Sequence, residues 1–192
     1  MNDSFVHNDS SVESQVNIQN NQGNINLGKR TRMSATFERL KKEICEHTTK
    51  EVMDDLMMYK TKLDGTKGLE EKLQDGGFNS ASIQNAKWQK EAYAKKATKY
   101  ECYPAAQDIF LDLFGRIKSE FYVNIYPLIL QGYNVSEIMK EIHKQIVLPI
   151  MNILNEDGEN DMYLYLTVDH IYGMLYYLTG MCHLNWKDYD NV

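Results

Sequence analysis

The stretch "PAAQDIFLDLFGRIKSEFYVNI", residues 104–125, carries the hydrophobic pattern that decides the fold. Its large apolar side chains recur mainly at steps of one, three or four residues: Ile109, Phe110, Leu113, Phe114, Ile117, Phe121 and Ile125. That spacing is typical of an α-helix, and a stripe this wide must be largely buried against other elements. Pro104 fits the first turn of the helix, where its missing N–H costs nothing. We therefore predict a helix that starts at Pro104, is kinked or ended by Pro127, and is finished by Gly132.

The chain before this stretch also has helical periodicity. Apolar residues follow each other at steps of three or four from Ser34 to Leu63, which predicts one long helix. The sequence "DGTKG" then breaks the pattern, and "LEEKLQ" predicts a short helix. A further helix is expected to be capped by Asn79 or Ser80 and to run to about Tyr100.

Two more helices are predicted after residue 132. One starts at Asn134 or Ser136 and continues until Pro149. The last starts near Asp169 and is apolar almost all round, which is typical of a helix at the centre of a fold. The preceding "DMYLYLTV" predicts either a short strand or the first turns of that helix. Residues 34–192 are therefore predicted to form a mainly α bundle of five to seven helices.

Residues 1–33 form a separate segment that is rich in Asn, Ser and Gln and poor in large apolar groups. Within it, "NIQNNQGNINLG" alternates amide side chains with single aliphatic ones around a Gln22-Gly23 turn. The aliphatic positions of this candidate assembly segment are Val16, Ile18, Ile25 and Leu27. Alternating strands of low charge pair readily, and Asn and Gln ladders add hydrogen bonds. The segment is predicted to be either a β-hairpin that adds to a partner's sheet or stacks on itself, or a disordered tail.

The composition argues against several classes of protein. A net charge of −6 gives no general attraction to nucleic acid or anionic membranes. No signal peptide is visible, and the most apolar run is much shorter than the roughly 20 residues that span a bilayer. Three irregularly spaced cysteines do not form a disulfide framework. We therefore expect a cytoplasmic protein.

No combination of residues predicts a catalytic or metal site. Cys182 and His183 are adjacent, so on a helix their side chains point about 100° apart and cannot easily chelate one ion. A nucleophilic site that pairs Cys102 with His143 or His170 is conceivable, but nothing in the sequence positions these residues. Phosphate-binding loops and nucleophile elbows are absent from the sequence. The sequence therefore predicts a non-enzymatic protein without cofactor or metal.

The polar residues that remain predict contacts with other proteins. A lysine occupies an apolar slot of the helix before Tyr100, where it either extends its ammonium to the edge or pairs with an acid or a partner. Five residues are predicted to form a polar docking patch between the last helix and the helix that starts at Pro104: Lys90, Tyr103, Gln107, His183 and Trp186. The lysines around Lys90, between Lys87 and Lys99, suggest DNA binding as a weaker hypothesis, but they spread around the helix as a solvated face does.

Two stretches resemble a known family. They are "KEAYAKKATKYECYPAAQDIFLDLFGRIKSEFYVNIYPLI", residues 90–129, and "IYGMLYYLTGMCHLNW", residues 171–186. They resemble the helical C-terminal domains of bacterial ABC-three-component conflict systems, with "AQDI" and the "LTG–CH–W" ending as the matching elements. The resemblance covers roughly Ser34 to Trp186, and Met181 stands where the family usually has a polar residue. It implies a domain that docks an effector onto an ABC ATPase and a middle component.

Three functional hypotheses follow from these observations. The first is a non-enzymatic adaptor or effector of such an anti-phage or anti-plasmid system, which binds the ATPase and the middle component and self-assembles through its first 33 residues into a homo-oligomer. The alternative is an amyloid-type signalling protein, in which the N-terminal motif switches on a helical domain that acts on membranes. The third is a DNA-binding regulator.

Overall fold

A computed structural model of the protein describes residues 31–63 and 67–189, and within them the chain forms seven helices and no strand. The predicted mainly α bundle is therefore confirmed. The single-piece helices are α1 (Arg32–Cys45), α2 (Asp54–Lys60), α3 (Leu69–Asp75), α4 (Ser80–Tyr100) and α7 (Val168–Gly180). Helices α5 (residues 104–130) and α6 (residues 135–157) each contain a π-helical turn. The candidate assembly residues Val16, Ile18, Ile25 and Leu27 lie outside the described residues.

Both internal prolines follow a π-helical turn. In α5 the turn Phe121–Ile125 joins Pro104–Glu120 to Tyr126–Leu130, and in α6 the turn His143–Val147 joins Val135–Ile142 to Leu148–Asp157. The N–H of Tyr126 bonds to the carbonyl of Phe121, five residues back, and Leu148 does the same with His143. Proline lacks the N–H that would normally bond to the carbonyl four residues before it. In both helices that carbonyl lies inside the π turn, where hydrogen bonds span five residues instead of four. This corrects one prediction, because α6 does not end at Pro149, whereas α5 continues past Pro127 to Leu130, shortly before the predicted end at Gly132.

Side-chain caps define where three helices begin. The side chains of Asn79 and Asn134 accept the N–H groups of Ser82 and Glu137, so in both cases the asparagine caps and not the nearby serine. Thr31 caps α1 in the same way, and its hydroxyl donates to the carboxylate of Asp157 over 2.7 Å. This contact ties the start of α1 to the end of α6.

The predicted long helix from Ser34 to Leu63 is wrong. Helix α1 ends at Cys45, and α2 begins only at Asp54. The intervening turn contains His47 at a φ of 52°, and the N–H of Lys50 donates to the carbonyl of Cys102 over 2.8 Å. The β-branched pair Thr48-Thr49 weakens the helical preference here, so bonds to the α4–α5 junction replace helical ones.

Helix α7 lies at the centre of the bundle, as predicted from the apolar residues on almost all of its sides. It packs along α4. Among its residues, Ile171, Met174, Leu175 and Leu178 have no measurable exposure. The segment before it is neither strand nor helix, because the carboxylate of Asp161 accepts the N–H groups of residues 163–165 and holds them in a turn. Among the described residues, no helix is both long and apolar enough to cross a membrane.

Candidate docking site

Gln107, one of the five residues predicted to form a docking patch, is buried and connects three parts of the chain. Its side-chain carbonyl accepts the N–H of Met53 over 2.7 Å. Its side-chain amide donates to the carbonyls of Glu51 at 3.0 Å and Glu101 at 2.7 Å. These bonds hold the segment before α2 and the end of α4 against α5. Both ends of this amide are therefore engaged inside the protein.

Trp186 is also buried in the core, at 2% exposure. Its indole N–H donates to the hydroxyl of Thr179 over 3.0 Å, and that hydroxyl donates in turn to the carbonyl of Leu175. The indole ring meets the rings of Phe78 and Phe121 edge-on, at centroid distances of 4.9 and 5.5 Å. The conspicuous "LTG–CH–W" ending thus closes the core over the C-terminus of α7.

The side chains of Lys90 and Tyr103 make contacts of their own. The ammonium of Lys90 is 3.0 Å from the point where a Cβ on Gly180 would lie, so it sits against the C-terminal end of α7, where the helix dipole favours a cation. Tyr103 occupies the N-cap position of α5, and its ring lies 6.4 Å from that of Tyr100. The N–H of Gln107 donates to the carbonyl of Tyr103 over 3.1 Å, but the side chains of the five predicted residues make no hydrogen bond, ion pair or ring contact with one another in the described chain.

His183, the fifth residue, is the most unusual polar group of the described core. It is 5% exposed, and neither ring nitrogen makes a hydrogen bond of good geometry, although the backbone carbonyls of three residues of α2 and its C-terminal end lie beside the ring. Burial and the nearby Lys118 ammonium lower the pKa of the imidazole, while the carbonyls of Thr61, Tyr59 and Met58 oppose that shift. The ring lies 5.5 Å from the ring of Tyr59. His183 is thus a neutral, buried imidazole beside the C-terminal end of α2.

This imidazole lines a pocket of about 470 Å³ between α2 and α5, the His183 pocket. Its apolar walls come from Met58, Tyr59, Leu63 and Leu111. Met58 is 68% exposed and Leu63 is 46% exposed. A concave apolar site with exposed apolar residues around it is typical of a binding surface.

Opposite charges also line the pocket. Asp55 comes from the first turn of α2, and Lys118 from α5. Within the described chain neither has an ion-pair partner, although the ammonium of Lys118 lies 5.8 Å from the centroid of the Tyr59 ring. The pocket is therefore lined by one cation and one anion, both available to an occupant.

Sequence reasoning found His183 but missed its neighbours Tyr59, Met58 and Lys118. One signal pointed to Met58, since the adjacent pair Met57-Met58 cannot both face the core of a single amphipathic helix. Nothing in the sequence placed Lys118 beside them.

The other candidate residues have ordinary partners. His143 and His170 hydrogen-bond through their Nδ1 atoms to the hydroxyls of Tyr172 and Thr167, at 3.2 and 2.9 Å. On α4, Lys87 pairs with Glu70 and Lys95 with Glu91. In the part of the chain that the structure describes, no group of three or more His, Cys, Asp or Glu side chains is arranged to hold a metal ion.

The part of the chain from the start of α3 to Trp186 matches a known protein family. The chain matches the family of C-terminal domain 9 (CTD9) of the ABC-three component (ABC-3C) systems over residues 68–186. No curated protein and no solved structure is significantly similar to it. The match ends at Trp186, as the resemblance in the sequence predicted, but it begins at Gly68 and not near Ser34. Since the match covers more than half of the 192 residues, this chain belongs to the CTD9 family of the ABC-3C systems.

Proposed function

We propose that this protein is a non-enzymatic adaptor or effector of an ABC-3C system, which acts in the cytoplasm by binding the ABC ATPase and the middle component of that system. Membership of the CTD9 family supports the connection to the system. The observation that carries the docking role is the apolar surface around the His183 pocket, where Met58 and Leu63 are 68% and 46% exposed. Flexible thioether side chains suit a surface that has to adapt to a partner. The biological role proposed for the complex is defence against phage or plasmids.

The two walls of this surface differ in their relation to the family. Helix α5 and His183 lie inside the region that matches CTD9, whereas α2 lies before it. We infer that α5 and His183 provide a feature common to these domains, and that α2 adapts the surface to the partners of this particular system. Specificity then depends on the exposed side chains of α2, which need not be shared with other members.

Replacing Met58 by glutamate is expected to weaken binding to the ATPase or the middle component at least about tenfold, because it puts a charge into an apolar contact. The side chain is 68% exposed, so the fold should be unaffected. The measurement is co-purification of the tagged chain with the ABC-3C proteins encoded beside it in the native host, followed by titration of the purified component.

Trp88→Glu is the matched control, since Trp88 is 59% exposed on α4 and lies outside the His183 pocket. It should bind as the unchanged protein does. Equal binding by the Met58 variant would reject this surface as the docking site. Failure of the unchanged chain to bring down either component would reject the adaptor role itself.

For residues 1–33 we propose self-assembly through the alternating segment around Gln22-Gly23. Proline cannot donate to a β-ladder, so Ile18→Pro should abolish any oligomer that forms through this segment. Analytical ultracentrifugation of the full chain measures the effect, and Ser10→Pro, outside the alternating segment, should leave the oligomer intact. A chain that is monomeric at every concentration, or one whose oligomer survives Ile18→Pro, would contradict the proposal.

A further inference from the structure

A groove of about 470 Å³ lies between the end of α6 and the segment that leads into α7, and we refer to it as the α6–α7 groove. It shares no lining residue with the His183 pocket. Its apolar walls come from Phe37, Met151, Leu154, Leu166 and Val168. Tyr165 also lines it and is 72% exposed, and Val168 is 38% exposed. A concave apolar surface with exposed apolar residues beside it is typical of a binding site.

A strained turn holds Tyr165 beside this groove. The φ of Tyr165 is 39°, in the left-handed region that residues other than glycine rarely adopt. The carboxylate of Asp161 accepts the N–H of Tyr165 over 2.8 Å, and the flanking residues Leu164 and Leu166 are buried. The exposed ring is therefore presented in one orientation, which lowers the entropic cost of packing a partner against it.

All the charged side chains that line the α6–α7 groove are acidic. They are Glu159, Asp161 and Asp169, and no lysine, arginine or histidine lines it. The carboxylates of Asp161 and Asp169 accept hydrogen bonds from neutral N–H groups, which leave their charge in place. Glu159 makes no hydrogen bond or ion pair with a described residue. The sequence from Gln145 to Trp186 contains no lysine or arginine that could neutralise these groups locally.

These walls and charges favour a basic protein segment as the occupant. The acidic surface continues into an adjoining cleft, where Glu38, Glu156 and Asp157 outnumber the single cation Lys41. A ligand with a phosphate or carboxylate group would be repelled, and a small inorganic cation would leave the apolar walls in contact with water. A lysine or arginine next to an apolar side chain matches both the charges and the walls.

We propose that the α6–α7 groove binds a basic segment of a partner protein, in which an apolar side chain packs beside Tyr165 and flanking lysines or arginines pair with Glu159 and Asp169. The apolar contact provides most of the affinity, and the charges orient the segment and speed its association. The proposal goes beyond the proposed function, because this groove is separate from the His183 pocket. A peptide can therefore bind to it, or fail to bind, whatever the Met58 variant does to the ABC-3C components.

The test uses a fluorescein-labelled peptide with leucine and phenylalanine between two pairs of lysines. Two control peptides have serines in place of the apolar pair, or glutamates in place of the lysines. Fluorescence anisotropy with the full chain should show that the first peptide binds at least about tenfold more tightly than the serine peptide, because two apolar side chains are buried. The glutamate peptide should not bind. In NMR of the methionine methyls, Met151 in the groove should shift and Met58 in the His183 pocket should not.

Two variants separate the charge from the ring. Glu159→Lys should weaken binding of the first peptide at least about tenfold, because it places a cation beside the lysines of the peptide. Glu51→Lys changes the net charge equally at an exposed position outside the groove, and should weaken binding less than about twofold. In Tyr165→Asn the preference over the serine peptide should fall to about threefold or less, since asparagine tolerates a positive φ and removes only the ring.

Four results would overturn the proposal. Equal losses in the two lysine variants would show a general attraction to an acidic protein, and equal affinity for the apolar and serine peptides would show that the groove is not used. Binding of spermine as tightly as the first peptide would identify a polyamine as the occupant. Self-association of the chain that Glu159→Lys abolishes would identify a second copy instead of a partner.

Discussion

Replacement of Gly173 by alanine is expected to lower the free energy of unfolding by about 3 kcal/mol, the upper end of the usual cost of overpacking. A Cβ at this position of α7 would overlap the carbonyl oxygen of Gln89 and would lie 2.7 Å from the Cβ of Tyr93. Both obstacles belong to or adjoin the backbone of α4, so no rotamer change can relieve the overlap and the two helices must separate. Urea denaturation followed by circular dichroism measures the loss.

Gly115→Ala provides the matched control, since it is also a glycine inside a helix. The nearest atom to a Cβ there is the hydroxyl oxygen of Tyr59, 4.0 Å away, which is an ordinary contact. Alanine should therefore stabilise α5 by roughly 0.5–1 kcal/mol, through its greater helix propensity. If the two variants unfold at the same urea concentration, the close approach of α4 and α7 at Gly173 is wrong.

Much of this fold was predictable because it follows from local sequence. The apolar stripe of α5 has the period of a helix for 17 consecutive residues, and all of its predicted core positions are buried. Asn79 and Asn134 were recognisable as caps, since asparagine hydrogen-bonds the free N–H groups of a first helical turn. Such signals need only neighbouring residues, and they survived in the structure.

The errors arose where distant residues decide the local conformation. The apolar spacing from Ser34 to Leu63 is helical throughout, but the break after Cys45 depends on contacts with Cys102 and Gln107, more than 50 residues away. The spacing of apolar residues along the sequence contains no information about such tertiary hydrogen bonds.

The candidate site shows the same limit. Gln107 and Trp186 looked like surface polar groups because their hydrogen-bond partners could not be foreseen, and both are buried and paired. The pocket around His183 needed information of the same kind, namely which elements pack beside this imidazole. Its walls come from α2 and α5, which are separated by the whole of α3 and α4. Their proximity is a property of the fold that one sequence does not reveal.

Replacement of Trp186 by alanine is expected to cost about 3–5 kcal/mol, the usual range for removing a buried tryptophan. The indole fills the space between Phe78 and Phe121 and satisfies the hydroxyl of Thr179, so its loss leaves a cavity where the C-terminal segment closes over α7. Because the indole contacts Phe121 inside α5 as well as Phe78 before α4, the domain as a unit should lose stability, not only its terminus. Thermal and urea unfolding measure the effect.

Trp88→Ala separates this effect from the loss of any tryptophan, because the chain contains only these two. Trp88 is 59% exposed, and its replacement should change the free energy of unfolding by less than about 0.5 kcal/mol. The folded Trp88 variant should fluoresce at short wavelength from its buried Trp186, and emission should move to the red only on unfolding. Trp186→Phe should keep most of the packing but lose the bond to Thr179, so a stability between those of the alanine variant and the unchanged protein is expected. If Trp186→Ala unfolds like the Trp88 variant, the ending does not close the core, and the buried position of His183 three residues before it would be wrong as well.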